Sequence, residues 1–355
     1  MNYKNTLMWK ELNEGPVLLH DLASKNAETL SAIASAVKGA DIDCIYTAAR
    51  GTSDHAMLWF KYLVESTVGI PVASGAPSTV TMYGAKLRLG RALVVGCSQS
   101  GKAADVLEIV RQGNACGAVT VAITNDVTSP LAREARFHLC CFAGEEKSVA
   151  ATKTFTCQLF LAALLANCLG GPKINGTLSE KLVQSLPAID AAIDGIAGSF
   201  IGAEDCFVLA RGLMSAIAFE CGLKLQETCY IRARAYHSSD FYHGPMAMIG
   251  KGTKVILFAS KCSLVPGTDS VHRADYVQCA RKMEELGADL YIITDDADAF
   301  AGIAAHVAAV PGGANEAETS FALTLAAQML ACKVSCGRGL SPDTPRALKK
   351  VTVTR

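Results

Sequence analysis

The feature that most restricts this chain's fold is an internal repeat. The segment VTVAITND (Val119–Asp126) returns 170 residues later as DLYIITDD (Asp289–Asp296). DCIYTAARG (Asp43–Gly51) returns as DCFVLARG (Asp205–Gly212), 162 residues after its start. Two fragments recurring in the same order imply duplication of one structural unit. The surrounding pattern says what the unit is. Short β-rich apolar runs at Cys44–Ala48, Ala92–Cys97, Val119–Thr124 and Phe137–Cys141 alternate with helical segments, notably Ser53–Ser66 and Lys102–Gln112. The second half repeats this with strands expected at Cys206–Ala210, Lys254–Ala259, Leu290–Thr294 and Val307–Val310. Its helices are expected at Met214–Thr228, Arg273–Leu286 and Glu316–Cys332. Such alternation builds βαβ units on a parallel sheet. The predicted class is α/β, with two tandem doubly wound parallel-sheet domains, each an αβα sandwich. The Gly/Pro/Asn punctuation of GGPKINGT marks the boundary, dividing the chain into 1–172, with an N-terminal helical arm, and 173–355.

Composition narrows the function. A length of 355 residues suits two domains, and with half the residues hydrophobic and 19% charged there is ample core material. Lys+Arg and Asp+Glu both number 33, and no basic run exceeds two residues, so nothing steers the chain onto nucleic acid. The 14 cysteines are scattered without a CxxC pair, and several sit inside apolar runs, as small buried thiols of a reducing compartment do. Residues 1–14 are polar and lack the apolar core of a signal peptide. The apolar stretch Leu159–Leu169 is broken by Asn167 and is too short to span about 30 Å of hydrocarbon. A soluble cytoplasmic protein with no membrane partner is expected.

Chemistry concentrates in a few loops. In LVVGCSQSGKAADV (Leu93–Val106) a strand runs into Ser98-Gln99-Ser100-Gly101 before a helix opens near Lys102. Hydroxyls, a side-chain amide and backbone N–H groups at a helix start make a seat for phosphate, although the same serines would cap the helix in any such loop. A second strand-to-helix loop, AARGTSDHA (Ala48–Ala56), brings Gly51, Thr52 and Ser53. Both loops belong at the carboxyl ends of parallel strands, where open α/β sheets bind ligands. The second-half counterparts ARGLMS and FASKCS lack the Ser-Gln-Ser-Gly pattern. No Walker pattern, GxGxxG or metal-ligand spacing is present, so neither a nucleotide cofactor nor a metal is expected. Lys224 and Glu227 lie three apart on one helical face, the spacing of an ordinary ion pair. His243 precedes Gly244-Pro245 in a turn, and Lys349-Lys350 stand near the terminus.

Those motifs, with SVAATKTFTCQL (Ser148–Leu159), the segment Ala218–Ile249 and DTPRALKKVTV (Asp343–Val353), resemble the sugar isomerase (SIS) domain family. Over nearly the whole chain they look like the double-SIS isomerase half of glutamine–fructose-6-phosphate aminotransferase. The resemblance implies that Ser53, Ser98, Gln99 and Ser100 hold a sugar phosphate, with Gly51 and Thr52 beside them. It implies that Glu227 moves a proton between C1 and C2. It also implies that His243 opens the sugar ring and reaches the site of a partner subunit. Lys224 and Lys350 match lysines that contact the sugar, and Val149 and Ala151 match positions lining it.

Two departures stand out. Ala103 replaces a threonine of the aminotransferase phosphate loop while Lys102 stands where an acid is usual, and Arg50 replaces a cysteine. Their roles stay open, as added charge for an anion or as surface decoration. Met1-Asn2 offers no nucleophilic cysteine, and several phrases look closer to stand-alone SIS-type glucosamine-6-phosphate deaminases. The expected activity is therefore an aminosugar-phosphate deaminase/isomerase acting without cofactor, as a homodimer with shared active sites. A fructosamine-6-phosphate deglycase, an aldose–ketose isomerase and a non-catalytic sugar-phosphate sensor are the alternatives. Retention of both Glu227 and His243 speaks against the sensor.

Overall fold

The computed structural model describes residues 2–350. Val351 onward, the end of the DTPRALKKVTV fragment, lies outside the described residues. The elements of the first repeat are α1 (Leu7–Lys25), α2 (Ala27–Lys38), β1 (Cys44–Ala48), α3 (Thr52–Thr67), β2 (Val72–Ser74) and α4 (Ser78–Thr81). They continue with β3 (Ala92–Cys97), α5 (Ala104–Ala115), β4 (Val119–Thr124), α6 (Pro130–Glu134), β5 (Phe137–Cys140) and α7 (Lys153–Cys168). The second repeat has α8 (Leu178–Ala197), β6 (Asp205–Ala210), α9 (Met214–Cys229), β7 (Arg232–His237) and α10 (Ser238–Phe241). It closes with β8 (Lys254–Ala259), α11 (Asp269–Glu285), β9 (Asp289–Thr294), β10 (His306–Ala309) and α12 (Glu316–Gly337).

Two all-parallel five-stranded sheets result, ordered β2-β1-β3-β4-β5 and β10-β9-β8-β6-β7. The doubly wound α/β class read from the repeat is therefore the observed one. The compact units around these sheets are not contiguous stretches of chain. Among the described residues the first unit comprises Gly15–Glu146, Lys153–Gly176 and Lys349-Lys350, whereas the second comprises 2–14, Lys147–Thr152 and Thr177–Leu348.

The central strands form where the sequence is continuously apolar. Every residue of β3 and β4 is buried, as expected for strands covered on both faces. Gly96, next to the last residue of β3, lets α5 close on the sheet: a Cβ there would come within 2.8 Å of Val110 Cγ2 and 3.1 Å of Leu131 Cδ1. Val106, Ile109 and Val110 of α5 pack on Val94 and Ala122. In the second unit Tyr276, Cys279, Ala280 and Met283 of α11 cover Leu209, Val255, Leu257 and Ile292. Ten of the cysteines are buried, such as Cys97, Cys157 and Cys206, acting as small packing residues. Burial pushes the Cys206 thiol up to about 12.

Helix α12 is buried around nearly its whole circumference, polar residues included. It is long and apolar enough to cross a membrane, yet 94% of an 18-residue window of it is buried, the position of a core helix. Its first residue, Glu316, is 1% exposed. Burial pushes its carboxyl up to about 8, with Asp295 and Asp269 adding to the rise and the N–H of Leu264 opposing it.

A carboxyl that is neutral when folded and ionised when unfolded stabilises the fold below its unfolded pKa. That contribution is lost as pH climbs through the folded value. The Glu316→Gln variant, neutral throughout, should therefore lose less stability than the wild type between about pH 4.5 and 8. Urea-unfolding midpoints across that window check this, and parallel pH profiles for the two proteins would refute the assignment.

Candidate functional site

In the first unit the sheet order puts a topological switch point between β1 and β3, since β1 leads outward to β2 and β3 leads the other way to β4. The two loops picked out from the sequence leave the sheet on either side of it. After β1, Gly51 caps α3 at φ 54° and the space where its Cβ would stand is open, with nothing within 4 Å. Thr52 starts the helix, and Ser53 is buried with its hydroxyl accepting from Gln158 Nε2 at 3.0 Å.

After β3, Ser98 continues the sheet through its N–H to the Ile123 carbonyl (3.0 Å) before the chain turns, Gly101 N–H closing on Ser98 O at 3.1 Å. Asn125 N–H holds the Gln99 carbonyl at 2.9 Å and Leu131 N–H holds that of Gly101 at 3.1 Å. The carbonyls are thus tied backward, while among the described residues the N–H groups of Gln99 and Ser100 have no acceptor within the protein. Helix α5 begins at Ala104, two residues later than its sequence pattern predicts, because Ser100 Oγ accepts Lys102 N–H (3.4 Å) in an extra turn. A loop offering spare N–H groups, hydroxyls and a helix N-terminus suits an oxyanion.

Arg50 and Lys102, whose roles the sequence left open, separate here. Arg50 donates from Nε and Nη2 to Asp105 Oδ2, both at 2.7 Å, and Asp105 is 2% exposed. The pair joins the β1 loop to the first turn of α5, fixing the two loops relative to each other. The Lys102 side chain is exposed.

Lys350 also belongs to the first unit. Its Nζ lies 2.6 Å from Glu146 Oε2, and the Glu146 side chain is wholly buried. Glu146 further accepts the N–H and hydroxyl of Thr154 at 3.1 and 2.8 Å.

The other predicted residues lie in the second unit. On α9, Lys224 is almost fully enclosed between two carboxylates: Glu227 Oε2 at 2.5 Å and Glu220 Oε1 at 3.4 Å. Lys224 and Glu220 are each 1% exposed by side chain, whereas Glu227 is 22% exposed. Burying an ammonium costs several kcal/mol unless it is paired, so the two acids and the lysine depend on each other. The geometry leaves Glu227 as the member that both touches the lysine and reaches the surface of the unit. His243 lies in the turn after α10, exposed, its N–H on the Asp240 carbonyl (3.0 Å), and it makes no hydrogen bond to Glu227. Val149 and Ala151 are half-buried in the segment 147–152. Glu11 holds this segment by accepting the N–H groups of Lys147 (2.5 Å) and Ser148 (3.1 Å), and Val149 N–H donates to Asp343 O at 3.0 Å.

Asp343 is a second anchor. Its carboxylate caps α1 by accepting the N–H groups of Leu7 and Met8 at 2.9 and 2.8 Å. Tyr230, in the left-handed C-cap of α9, accepts Arg346 N–H at 2.8 Å and carries the guanidinium over its ring. Sequence reasoning missed Glu220, Asp105, Glu146, Glu11 and Tyr230. Glu220 alone left a signal, an acid four residues before Lys224. Among the described residues no group of three His, Cys, Asp or Glu side chains is arranged to hold a metal ion.

The profile of the SIS domain matches this chain twice, over residues 40–168 and 199–336. The chain belongs to the SIS domain family. The two matches fall on the two sheets, so the SIS repeat and the structural repeat coincide. Among the relatives of this SIS protein, a glutamine–fructose-6-phosphate aminotransferase of Methanothermobacter thermautotrophicus is 32% identical over 98% of this chain and 57% of its own. The chain spans about half the length of the curated relatives it matches. The C-terminal domain of glucosamine-fructose-6-phosphate aminotransferase from Francisella tularensis shares the fold at a TM-score of 0.80 and 24% identity, covering 96% of this chain and 98% of that one. A glucosamine-6-phosphate deaminase from Thermotoga maritima shares it at 0.75 and 22%, covering 98% and 100%.

The SIS loop geometry makes one direct prediction. Gly51 and Gly101 both have positive φ, a conformation that side-chain-bearing residues rarely adopt. At Gly101, however, a Cβ would also fall 2.1 Å from Ser129 Oγ. Gly101→Ala should lower the thermal midpoint clearly more than Gly51→Ala. Equal losses would contradict the close packing of the Ser98–Gly101 turn.

Proposed function

We propose that this SIS protein is an aminosugar-phosphate deaminase/isomerase, converting glucosamine 6-phosphate and water to fructose 6-phosphate and ammonia. The observation that carries the reading is the Lys224–Glu227 pair: a carboxylate on a buried ammonium, itself 22% exposed. A base that moves a carbon-bound proton needs both access to substrate and a fixed position. The open N–H groups and hydroxyls of Ser98–Ser100 supply the phosphate seat, each hydrogen bond to the dianion being worth about 1.5–3 kcal/mol. The named relatives add support. One is named an isomerizing glutamine–fructose-6-phosphate aminotransferase, and in the Thermotoga glucosamine-6-phosphate deaminase the same fold extends over the whole of that chain.

In the proposed reaction Ser53, Ser98, Gln99 and Ser100 bind the phosphate, with Thr52 at the start of α3 beside them. His243, contributed within a homodimer, protonates the ring oxygen and opens the sugar. Glu227 takes the C2 proton of the open aldehyde and returns it to C1 through an enolamine, while a proton moves to the C1 oxygen. The product is a C2 ketimine. Water adds to C2, the nitrogen leaves as ammonia, and the ketose phosphate remains. Lys224 keeps Glu227 in place, and Lys350, held by Glu146, contacts the sugar. Sugar phosphates are made and kept inside cells, so the cytoplasm is the compartment that goes with this reading.

The test is release of ammonia across a panel of 6-phosphorylated aminosugars and fructosamines, with Glu227→Gln alongside. Wild type should release ammonia from glucosamine 6-phosphate, and Glu227→Gln should lower kcat by about 10²–10⁴ with little change in KM. Release of an amine from fructosamine 6-phosphates alone would make the protein a deglycase. A fully active Glu227→Gln variant, or binding without turnover on the whole panel, would overturn the proposal.

A further inference from the structure

The repeat lets the phosphate seat be compared with its own duplicate. In the second unit the switch point lies between β6 and β8, and the matching loops are Arg211–Leu213 and Ser260–Thr268. The sequence correspondence places Gly212 where the first unit has Gly51, and Asp295 where it has Asn125. The duplicate differs in what satisfies its backbone. Lys261 N–H donates to Asp295 Oδ1 at 2.7 Å, Ser263 N–H to Asp269 Oδ1 at 2.7 Å and Leu264 N–H to Glu316 Oε2 at 3.1 Å. Three N–H groups of one strand-to-helix loop thus end on three carboxyl groups of the same unit.

Glu316 also bridges the crevice. While Oε2 serves the β8 loop, Oε1 is buried without a hydrogen-bond partner and points at the β6 loop, 3.8 Å from where a Gly212 Cβ would stand. In the first unit the space beside Gly51 is open. A buried polar atom with no partner is costly.

We propose that the second unit carries a duplicate anion seat which its own Glu316 and Asp269, with Asp295, keep filled, so that the chain takes one phosphate rather than two. The contrast rests on reading the first-unit loops as a phosphate seat, but the filled state of the second is tested separately. Shortening Glu316 and Asp269 frees the N–H groups of Leu264 and Ser263. The loop then has two open donors, like Gln99 and Ser100 in the first unit.

Equilibrium dialysis of the full chain with radiolabelled inorganic phosphate reads the count. Wild type should bind one phosphate per chain and Glu316→Ala/Asp269→Ala two. Two phosphates on wild type would overturn the proposal, as would no additional phosphate on the double variant with a native circular-dichroism spectrum. If the double variant is unfolded, Glu316→Ala alone should gain the additional phosphate, and failure to do so counts against the proposal. Should wild type bind none while the variant gains one, the first-unit seat is misread and the second-unit inference stands.

Discussion

A backbone N–H at the end of a parallel strand has to find an acceptor, and this protein meets that demand in two ways. Each sheet ends its central strands in turns whose donors point away from the ladder, and a buried donor left unpaired is costly. In the first unit the turn after β3 ties its carbonyls to Asn125 and Leu131 and leaves two N–H groups open. In the second, Asp295, Asp269 and Glu316 take three donors of the loop after β8. Duplication supplied two similar frames, and the choice of acceptors differentiated them. Arg50 on Asp105 then fixes the geometry of the open loops from the side, without occupying the donors themselves.

The proposed acid–base apparatus obeys a different constraint, the cost of burying charge. Lys224 is enclosed by protein, with 1% of its side chain exposed, so Glu220 and Glu227 must stay close. Because Glu220 is equally enclosed, the asymmetry of exposure singles out Glu227 as the group able to meet a substrate. The same logic applies to Lys350, half-exposed but tethered to the wholly buried Glu146. Tail and loop anchors, Asp343 on α1 and Tyr230 on Arg346, are backbone caps rather than charge pairs, and hold the polypeptide that carries these side chains.

Much of this was legible in the sequence, for identifiable reasons. The central strands are apolar on both faces, so Ala92–Cys97, Val119–Thr124 and Lys254–Ala259 were expected at the boundaries observed. The edge strands β5 and β10 were expected to within one residue at each end, but the edge strands β2 and β7 were not. β2 has only three residues, and β7, Arg232–His237, alternates exposed and buried positions with arginines on the open side. Of the site, the seat loops and the Lys224–Glu227 spacing were visible because they are local. Asp105, Glu146 and Glu11 act across 55, 204 and 136 residues of chain, and no local pattern announces such a pairing. The three carboxyl groups of the second unit escaped for the same reason, since each looks like an ordinary helix-start or loop acid.

The central claim is that Glu227 transfers a proton between adjacent carbons of a sugar phosphate, and hydrogen exchange measures that transfer without depending on product release. Wild type incubated in deuterium oxide with glucosamine 6-phosphate, or with fructose 6-phosphate and ammonium, should place solvent deuterium at C2 or C1, read by proton NMR. Glu227→Gln should place none on the same timescale. Exchange that persists undiminished in the variant, or ammonia release by wild type with no deuterium at either carbon, would contradict the account.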